Sequence, residues 1–307
     1  MAWVVVAGLV LGQVVASRFV AGLRLGVGRV VVWGMVMGAV FCVERMMAGD
    51  GAVVRMMGIC LVLLAGMKAV VYVEWSGGGR KRLTWVRHGM FGWLWFGMNP
   101  EVFRERREVA GGGRWMAEGL AMMLAGVVLG TLVRWAGWTS VWALFLPMSV
   151  GFHFGALRVL AGMWRCAGFG VKPLFRNPFG AVTPGDFWAR RWNLGYSHMM
   201  AVAVGRPLGE WMGRRGGMLG VFVISGLLHE LAITVPVGAG YGWPTLYFTL
   251  HGVLVLLPLN RLPELAGRLV TAVAVISPLP MLFPNLFKSR CWCRFWKSFP
   301  FTRNHNS

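Results

Sequence analysis

Ser225-Gly226-Leu227-Leu228-His229-Glu230 lies inside an otherwise apolar run from Gly216 to Val237. A run of about twenty apolar residues is long enough to cross a hydrocarbon core of ~30 Å. Ionisable groups are costly there, roughly 2.5–3.5 kcal/mol for an aspartate on insertion scales, and they persist where they line a polar cavity or take part in chemistry. The run therefore reads as a membrane helix carrying a candidate site. As a helix it puts His229 on one face with Phe222, Ser225, Gly226, Ala232 and Ile233, and turns Glu230 about 100° away. The small residues one turn above the imidazole are expected to leave space beside it. The ring should sit near mid-bilayer, neutral and able to accept a proton.

The rest of the chain agrees with that reading. Of its 307 residues 57% are apolar and only 14% charged, and the mean hydropathy is +0.61, far from the balance of a soluble domain. Lysine and arginine total 31 against 11 acids, a formal charge of +20. Because these cations sit in loops between apolar runs, they read as membrane orientation and contact with anionic lipid, and nucleic acid is not an expected partner. Cys42, Cys60, Cys166, Cys291 and Cys293 form neither a disulfide framework nor a zinc pattern, and the tail pair reads as incidental thiols. The opening Met1 to Ala16 lacks a positive n-region and reads as a retained span.

Apolar segments lie at Ala2 to Ala16, Val30 to Val43, Met56 to Val73, Trp115 to Val133, Trp138 to Leu160, Gly216 to Val237, Trp243 to Leu259 and Arg268 to Leu286. That gives about eight crossings, the first two short for the core thickness. Glycines scattered through them suit close helix packing in lipid. Basic loops alternate with neutral ones, which places the N-terminus outside and the two large basic loops on the cytoplasmic face. Strict alternation would put the basic tail Lys288 to Arg303 outside. A re-entrant hairpin around Pro278, Pro280 and Pro284, or an extra half-buried element between Tyr196 and Val204, would return it. The loop from Trp75 to Arg114 mixes aromatics with arginines and is expected to lie at the interface.

Upstream of the histidine, Phe187-Trp188-Ala189-Arg190-Arg191-Trp192-Asn193 follows a candidate N-cap at Asp186. As a helix it would stack Phe187 over Arg191 and Trp188 over Trp192, with Arg190 or Arg191 able to meet a phosphate through its planar fork.

This cluster, followed some thirty residues later by Ser225 to Glu230, resembles the membrane-bound O-acyltransferase family, and specifically its wax synthase branch. Phe152-His153-Phe154-Gly155 to Arg158, Trp164-Arg165 and Leu250-His251-Gly252 are similar to the same branch, so the likeness spans Gly151 to Asn260. It implies one all-α, polytopic transmembrane domain over residues 1–307 with an internal tunnel, 75–114 being an interfacial cytoplasmic loop and 288–307 a basic tail. It also implies transfer of a fatty acyl group from acyl-CoA to a hydroxyl-bearing lipid. His229 matches the catalytic histidine and Asn193 its partner asparagine, which would either orient the imidazole or donate to the forming oxyanion. Substrate contacts are expected from Trp188, Arg190, Arg191, Trp192, Ser225, Glu230 and His153.

A long-chain alcohol is the expected acceptor. A sterol, glyceride or sugar hydroxyl is the alternative, and a transporter or lipid-binding scaffold is the reading from another class. No cofactor is expected, acyl-CoA being a substrate. No metal spacing and no Gly-x-Ser-x-Gly turn occurs, which favours direct transfer without a covalent enzyme intermediate. His251 heads a span and is open to either a structural or a functional role, while His88, His198 and His305 read as loop or interface residues. An inner membrane in a bacterium, or the endoplasmic reticulum in a eukaryote, is the expected setting.

Overall fold

The computed structural model describes residues 1–138 and 141–282, and the described residues form helices without a strand. Seven helical segments are long and apolar enough to span a membrane, and an eighth, Trp243–Leu256, is shorter. The chain is thus a polytopic helical membrane protein. The two N-terminal spans are longer than their apolar cores suggested. α1 is Ala2–Val20 and α2 is Leu25–Met46, about 28 and 33 Å at 1.5 Å per residue. The loop expected over Ser17 to Arg29 shrinks to residues 21–24, and Arg29 lies inside α2, its Nε and Nη2 donating to Glu74 at 2.6 and 2.9 Å. Arginine is a good helix former, and the bidentate pair ties its guanidinium on α2 to the carboxylate of Glu74.

The described chain divides into two compact units, the first being Met1–Lys81, Val182–Pro184 and the residues from Met200 onward. Its centre is α3, Ala52–Ser76, which packs against α1 and α2 and against two π-helical turns, Ala201–Gly205 and Glu230–Thr234. α3 stops at Gly77, Gly78 and Gly79, all left-handed (φ 58°, 76° and 89°), a conformation that glycine adopts without a Cβ penalty. Polar groups fasten α1 to α3: Gln13 Nε2 donates to Val62 O at 3.1 Å and Ser76 Oγ to Ala21 O at 3.2 Å.

Later in this unit α9, Arg206–His229, follows α8, Leu194–Met200, and breaks at Gly213 (φ 72°, ψ 170°), a backbone region open in practice only to glycine. The two limbs fold side by side, so a Cβ on Gly217 would lie 2.8 Å from Gly205 O. An additional helical element therefore stands where the sequence allowed one, between Tyr196 and Val204. α10 is Trp243–Leu256 and α11 is Glu264–Ile276. Pro284, Cys291, Cys293, His305 and the basic tail lie outside the described residues.

The second unit comprises Arg82–Ala181 and Gly185–Met199. Within it α5, Gly112–Trp135, packs on a continuous segment made of α6 (Val141–Met148), a π-helical turn (Ser149–Ala156) and α7 (Leu157–Cys166). Gly112, Gly119 and Gly126 recur every seventh residue on α5, and a Cβ at each would strike backbone of the facing helix: Gly162 O at 2.9 Å, Gly155 O at 2.8 Å and Gly151 N at 2.6 Å. In lipid, where apolar side chains gain little from leaving the tails, such backbone-to-backbone packing carries the association.

The 75–114 region is more folded than an interfacial loop. Thr84 and Asn99 cap a helix (Trp85–Trp93) and a 3₁₀ turn (Pro100–Phe103). Phe91 and Phe103 are fully buried in an edge-on cluster with Trp164 and Phe169, at centroid distances of 5.0–6.3 Å. His88, read as a loop or interface residue, lies in the helix Trp85–Trp93 and is buried at 2% exposure, while Trp85, Trp93 and Phe96 remain exposed as an interfacial segment would have them.

Gly126→Ala should lower the unfolding temperature in detergent by several degrees, an overpacking cost of about 1–3 kcal/mol. Gly130→Ala, whose Cβ meets only Pro147 Cβ at 3.6 Å, should leave it unchanged.

Candidate functional site

His229 is the last residue of α9 before the π-turn Glu230–Thr234; single π-turns inside α-helices occur frequently at functional sites. Its Nδ1 donates to the carbonyl oxygen of Ser225 at 2.7 Å. A carbonyl only accepts, so Nδ1 carries the proton and, in the neutral ring, the lone pair is on Nε2. This assignment follows from the partner. Phe248 on α10 braces the ring, centroid to centroid at 4.2 Å.

The space expected beside the imidazole is occupied by protein. A Cβ on Gly226 would lie 2.5 Å from Thr245 Cα, and one on Gly252 would lie 2.9 Å from Phe222 Cβ. The small residues therefore admit α10 and fix Phe248 against the ring. Ser225 contributes its carbonyl to the ring and is itself buried.

Glu230 was expected to contact substrate, and its carboxylate is committed elsewhere. Oε1 accepts from Gly242 N (2.9 Å), Thr245 N (3.1 Å) and Thr245 Oγ1 (2.9 Å), and Oε2 accepts from Thr234 Oγ1 (2.5 Å). A carboxylate at the first turn of α10 satisfies otherwise orphaned N–H groups and meets the positive end of the helix dipole. Beside it opens a shallow groove of about 480 Å³ along Leu227, Tyr241, Leu246 and Thr249.

His251 is fully buried, and its Nδ1 meets Tyr247 O at 2.8 Å within the same helix. Sequence reading passed over Lys68, which is 1% exposed on α3. It is the one charged residue in the apolar run Met56 to Val73, and an ionisable residue inside a span marks a functional candidate by default.

In the second unit the basic aromatic motif forms a π-turn, Phe187–Arg191, and not an α-turn. Trp192 N donates to Phe187 O at 2.9 Å, so Trp192 stacks on Phe187 (5.5 Å, 14°) and not on Trp188. Asp186 makes no side-chain cap; it pairs with Arg191 Nε at 2.7 Å, and Arg191 Nη1 also donates to Asn177 O at 3.0 Å. Of the two arginines weighed for a phosphate, Arg191 is thus engaged and Arg190 is exposed.

The cap is supplied by Asn193. Its Oδ1 accepts from Tyr196 N at 3.2 Å and its carbonyl from Ser197 N at 3.0 Å, opening α8 from a left-handed φ of 41°, a conformation asparagine tolerates. Because the partner is an N–H, the amide oxygen is identified and the NH₂ faces away from the cap. An asparagine just ahead of Leu194 was a legible N-cap signal. His153, on the π-turn 149–156, packs against Phe175 (5.1 Å) and Trp192 (6.1 Å). Ser197 Oγ donates to Trp188 O at 2.6 Å, tying Trp188 to the start of α8.

Glu230→Ala should unpin α10, lowering folded yield in detergent, with Glu230→Gln intermediate; equal thermal stability of all three proteins would contradict the capping role.

The sequence profile described as the membrane bound O-acyl transferase family matches residues 171–250, which include both Asn193 and His229. The chain is 35% identical over 137 residues to a protein of Arabidopsis thaliana named probable long-chain-alcohol O-fatty-acyltransferase 2, covering 39% of this chain and 40% of that one. It is 37% identical over 95 residues to the long-chain-alcohol O-fatty-acyltransferase of Simmondsia chinensis, covering 28% and 27%. It is also 35% identical over 68 residues to the acyl-CoA–sterol O-acyltransferase 1 of Arabidopsis thaliana, 20% of each chain. The matched part thus spans two fifths or less of the length of these relatives. Residues 171–250 thus resemble the membrane bound O-acyl transferase family, and within it the proteins named long-chain-alcohol O-fatty-acyltransferases.

Proposed function

We propose that the protein transfers a fatty acyl group from acyl-CoA to the hydroxyl of a long-chain alcohol, releasing a wax ester and free CoA. The observation that carries this reading is the fixed tautomer of His229, with Nδ1–H on Ser225 O and the lone pair on Nε2. The Nε2 lone pair takes the hydroxyl proton as the alcohol oxygen attacks the thioester carbonyl, a contribution of typically 10²- to 10⁴-fold. The tetrahedral intermediate then collapses with loss of the CoA thiolate, and the imidazolium returns the proton to that sulfur.

Asn193 has its amide oxygen engaged in the α8 cap, which leaves the NH₂ as a donor. That favours a role at the oxyanion over one that needs the carbonyl, and a donor of this kind is worth roughly 10²–10³ in kcat. Exposed Arg190 is the cation offered to a CoA phosphate. The basic loops face the cytoplasm, where acyl-CoA is found, and the acceptor arrives from the bilayer through an internal tunnel.

A sterol acceptor is the second reading, favoured by the likeness to the sterol-named relative. Membranes from cells lacking such enzymes, carrying the full chain and given labelled acyl-CoA with alcohols, sterols and diacylglycerol, select between them by product. Wax ester is expected, with none from His229→Ala; product that survives His229→Ala, or no ester from any acceptor, overturns the reading. Asn193→Asp keeps an N-capping oxygen and loses the NH₂, so kcat should fall roughly 10²- to 10³-fold at unchanged abundance. Wild-type turnover in that variant removes Asn193 from the mechanism.

A further inference from the structure

Within the second unit a cavity of about 370 Å³ lies among α5, the π-turn 149–156, α7 and the strap 173–179. That volume falls within the range of about 300–1,000 Å³ typical of small-molecule sites. Its wall is almost wholly apolar, formed by Met122, Val150, Phe154, Leu157, Leu174 and Phe175. Three polar or charged side chains break that surface, His153, Arg158 and Asn177.

Arg158 is already paired. Its Nε donates to Glu118 Oε2 at 2.8 Å and its Nη2 closes a second, shorter bond to the same oxygen. Glu118 is shared with Arg114, whose Nε donates to Oε1 at 2.8 Å, so Arg158 meets the cavity ion-paired, and a carboxylate or phosphate entering there would have to break that pair or sit beside Glu118.

His153 is half open. Its Nδ1 is sealed and has no hydrogen-bond partner among the described residues, the ring being enclosed by Phe152, Phe175 and Trp192. The ring's remaining polar atom, Nε2, is the one left for the cavity that His153 lines. A buried polar group without a partner costs about 1–3 kcal/mol; that cost falls on Nδ1, while Nε2 is the ring atom open to an outside partner. Nothing in the box fixes the tautomer, and Nε2 either donates or accepts. A hydroxyl both donates and accepts, so it satisfies either tautomer, whereas an ester or thioester carbonyl satisfies only one.

From the largely apolar wall and this adaptable polar atom, we propose that the cavity binds the hydroxyl end of a single-chain aliphatic alcohol, with His153 as its hydrogen-bond partner. The assignment rests on the acyl transfer proposed above for why an alcohol binds at all. The strap is in turn tied to the element that carries Asn193. Arg176 N donates to Arg191 O and Leu194 N to Leu174 O, both at 2.8 Å, so the strap roofing the cavity is bonded to the residues on either side of Trp192-Asn193.

The full-length protein in detergent is labelled with hexadecanol bearing a diazirine and an alkyne, and the cross-linked peptides are mapped. Labelling is expected on the walls between residues 122 and 179, with unlabelled hexadecanol competing at least tenfold better than palmitate or palmitoyl-CoA. Leu157→Trp should abolish it by filling the space. His153→Phe should weaken alcohol competition roughly tenfold, the equivalent of 1.4 kcal/mol, and raise the alcohol KM at unchanged kcat, while His153→Gln restores much of both. Label landing elsewhere, equal or better competition by palmitate or palmitoyl-CoA, or unaltered competition in His153→Phe overturns the assignment. Labelling is also expected in His229→Ala. If it persists there while no membrane preparation makes ester, the esterification fails and the alcohol site stands; if ester forms and the cavity stays unlabelled, the site fails and the esterification stands.

Discussion

One hydrogen bond, from Nδ1 of His229 to the carbonyl of Ser225 in its own helix, sets the chemistry available to the first unit. The other neutral tautomer would set a lone pair against a carbonyl oxygen at 2.7 Å, so the backbone of α9 chooses which nitrogen can act as a base. The rest of the surroundings keep the ring where that choice matters. Gly226 and Gly252 let α10 approach until Phe248 lies against the imidazole, and Glu230 closes the first turn of α10 with three bonds to Oε1. Histidine and glutamate are adjacent in the chain and divide the work: the imidazole is held in one tautomer, and the carboxylate is spent on register.

The same division recurs in the second unit. Asn193 uses its oxygen to start α8 and keeps its nitrogen, and Arg191 is bonded to Asp186 and the strap while Arg190 stays exposed. The candidates also share a backbone device. His153 lies in a π-turn, Asn193 follows one closely, and His229 directly precedes one. A π-turn inserts one residue into the helical repeat and shifts which side chains face inward, which is how Trp192 comes to stack on Phe187.

Much of this was legible in the residues. Apolar runs gave the spans because the bilayer demands length and satisfied backbone, and His229 stood out because an ionisable group in lipid needs a reason. The same rule applied to Lys68 would have found it. The ends of α1 and α2 were not legible, because the basic residues read as a loop include Arg29, a good helix former whose guanidinium meets Glu74, forty-five residues away. The fate of Glu230 was likewise hidden, its partners at Gly242 and Thr245 being set by how α10 returns. Space beside His229 was inferred from small residues, which describe room for a neighbour without saying whether helix or substrate fills it.

The claim on which the account turns is that His229 holds its proton on Nδ1 and offers Nε2. Nitrogen-15 NMR of the histidine-labelled protein in detergent, with His229→Gln used to assign the signal by difference, reads this directly. The account expects a protonated Nδ1 and an unprotonated Nε2 for His229 in the neutral protein. A proton on Nε2 with Nδ1 bare would contradict it and leave the proposed transfer without its base.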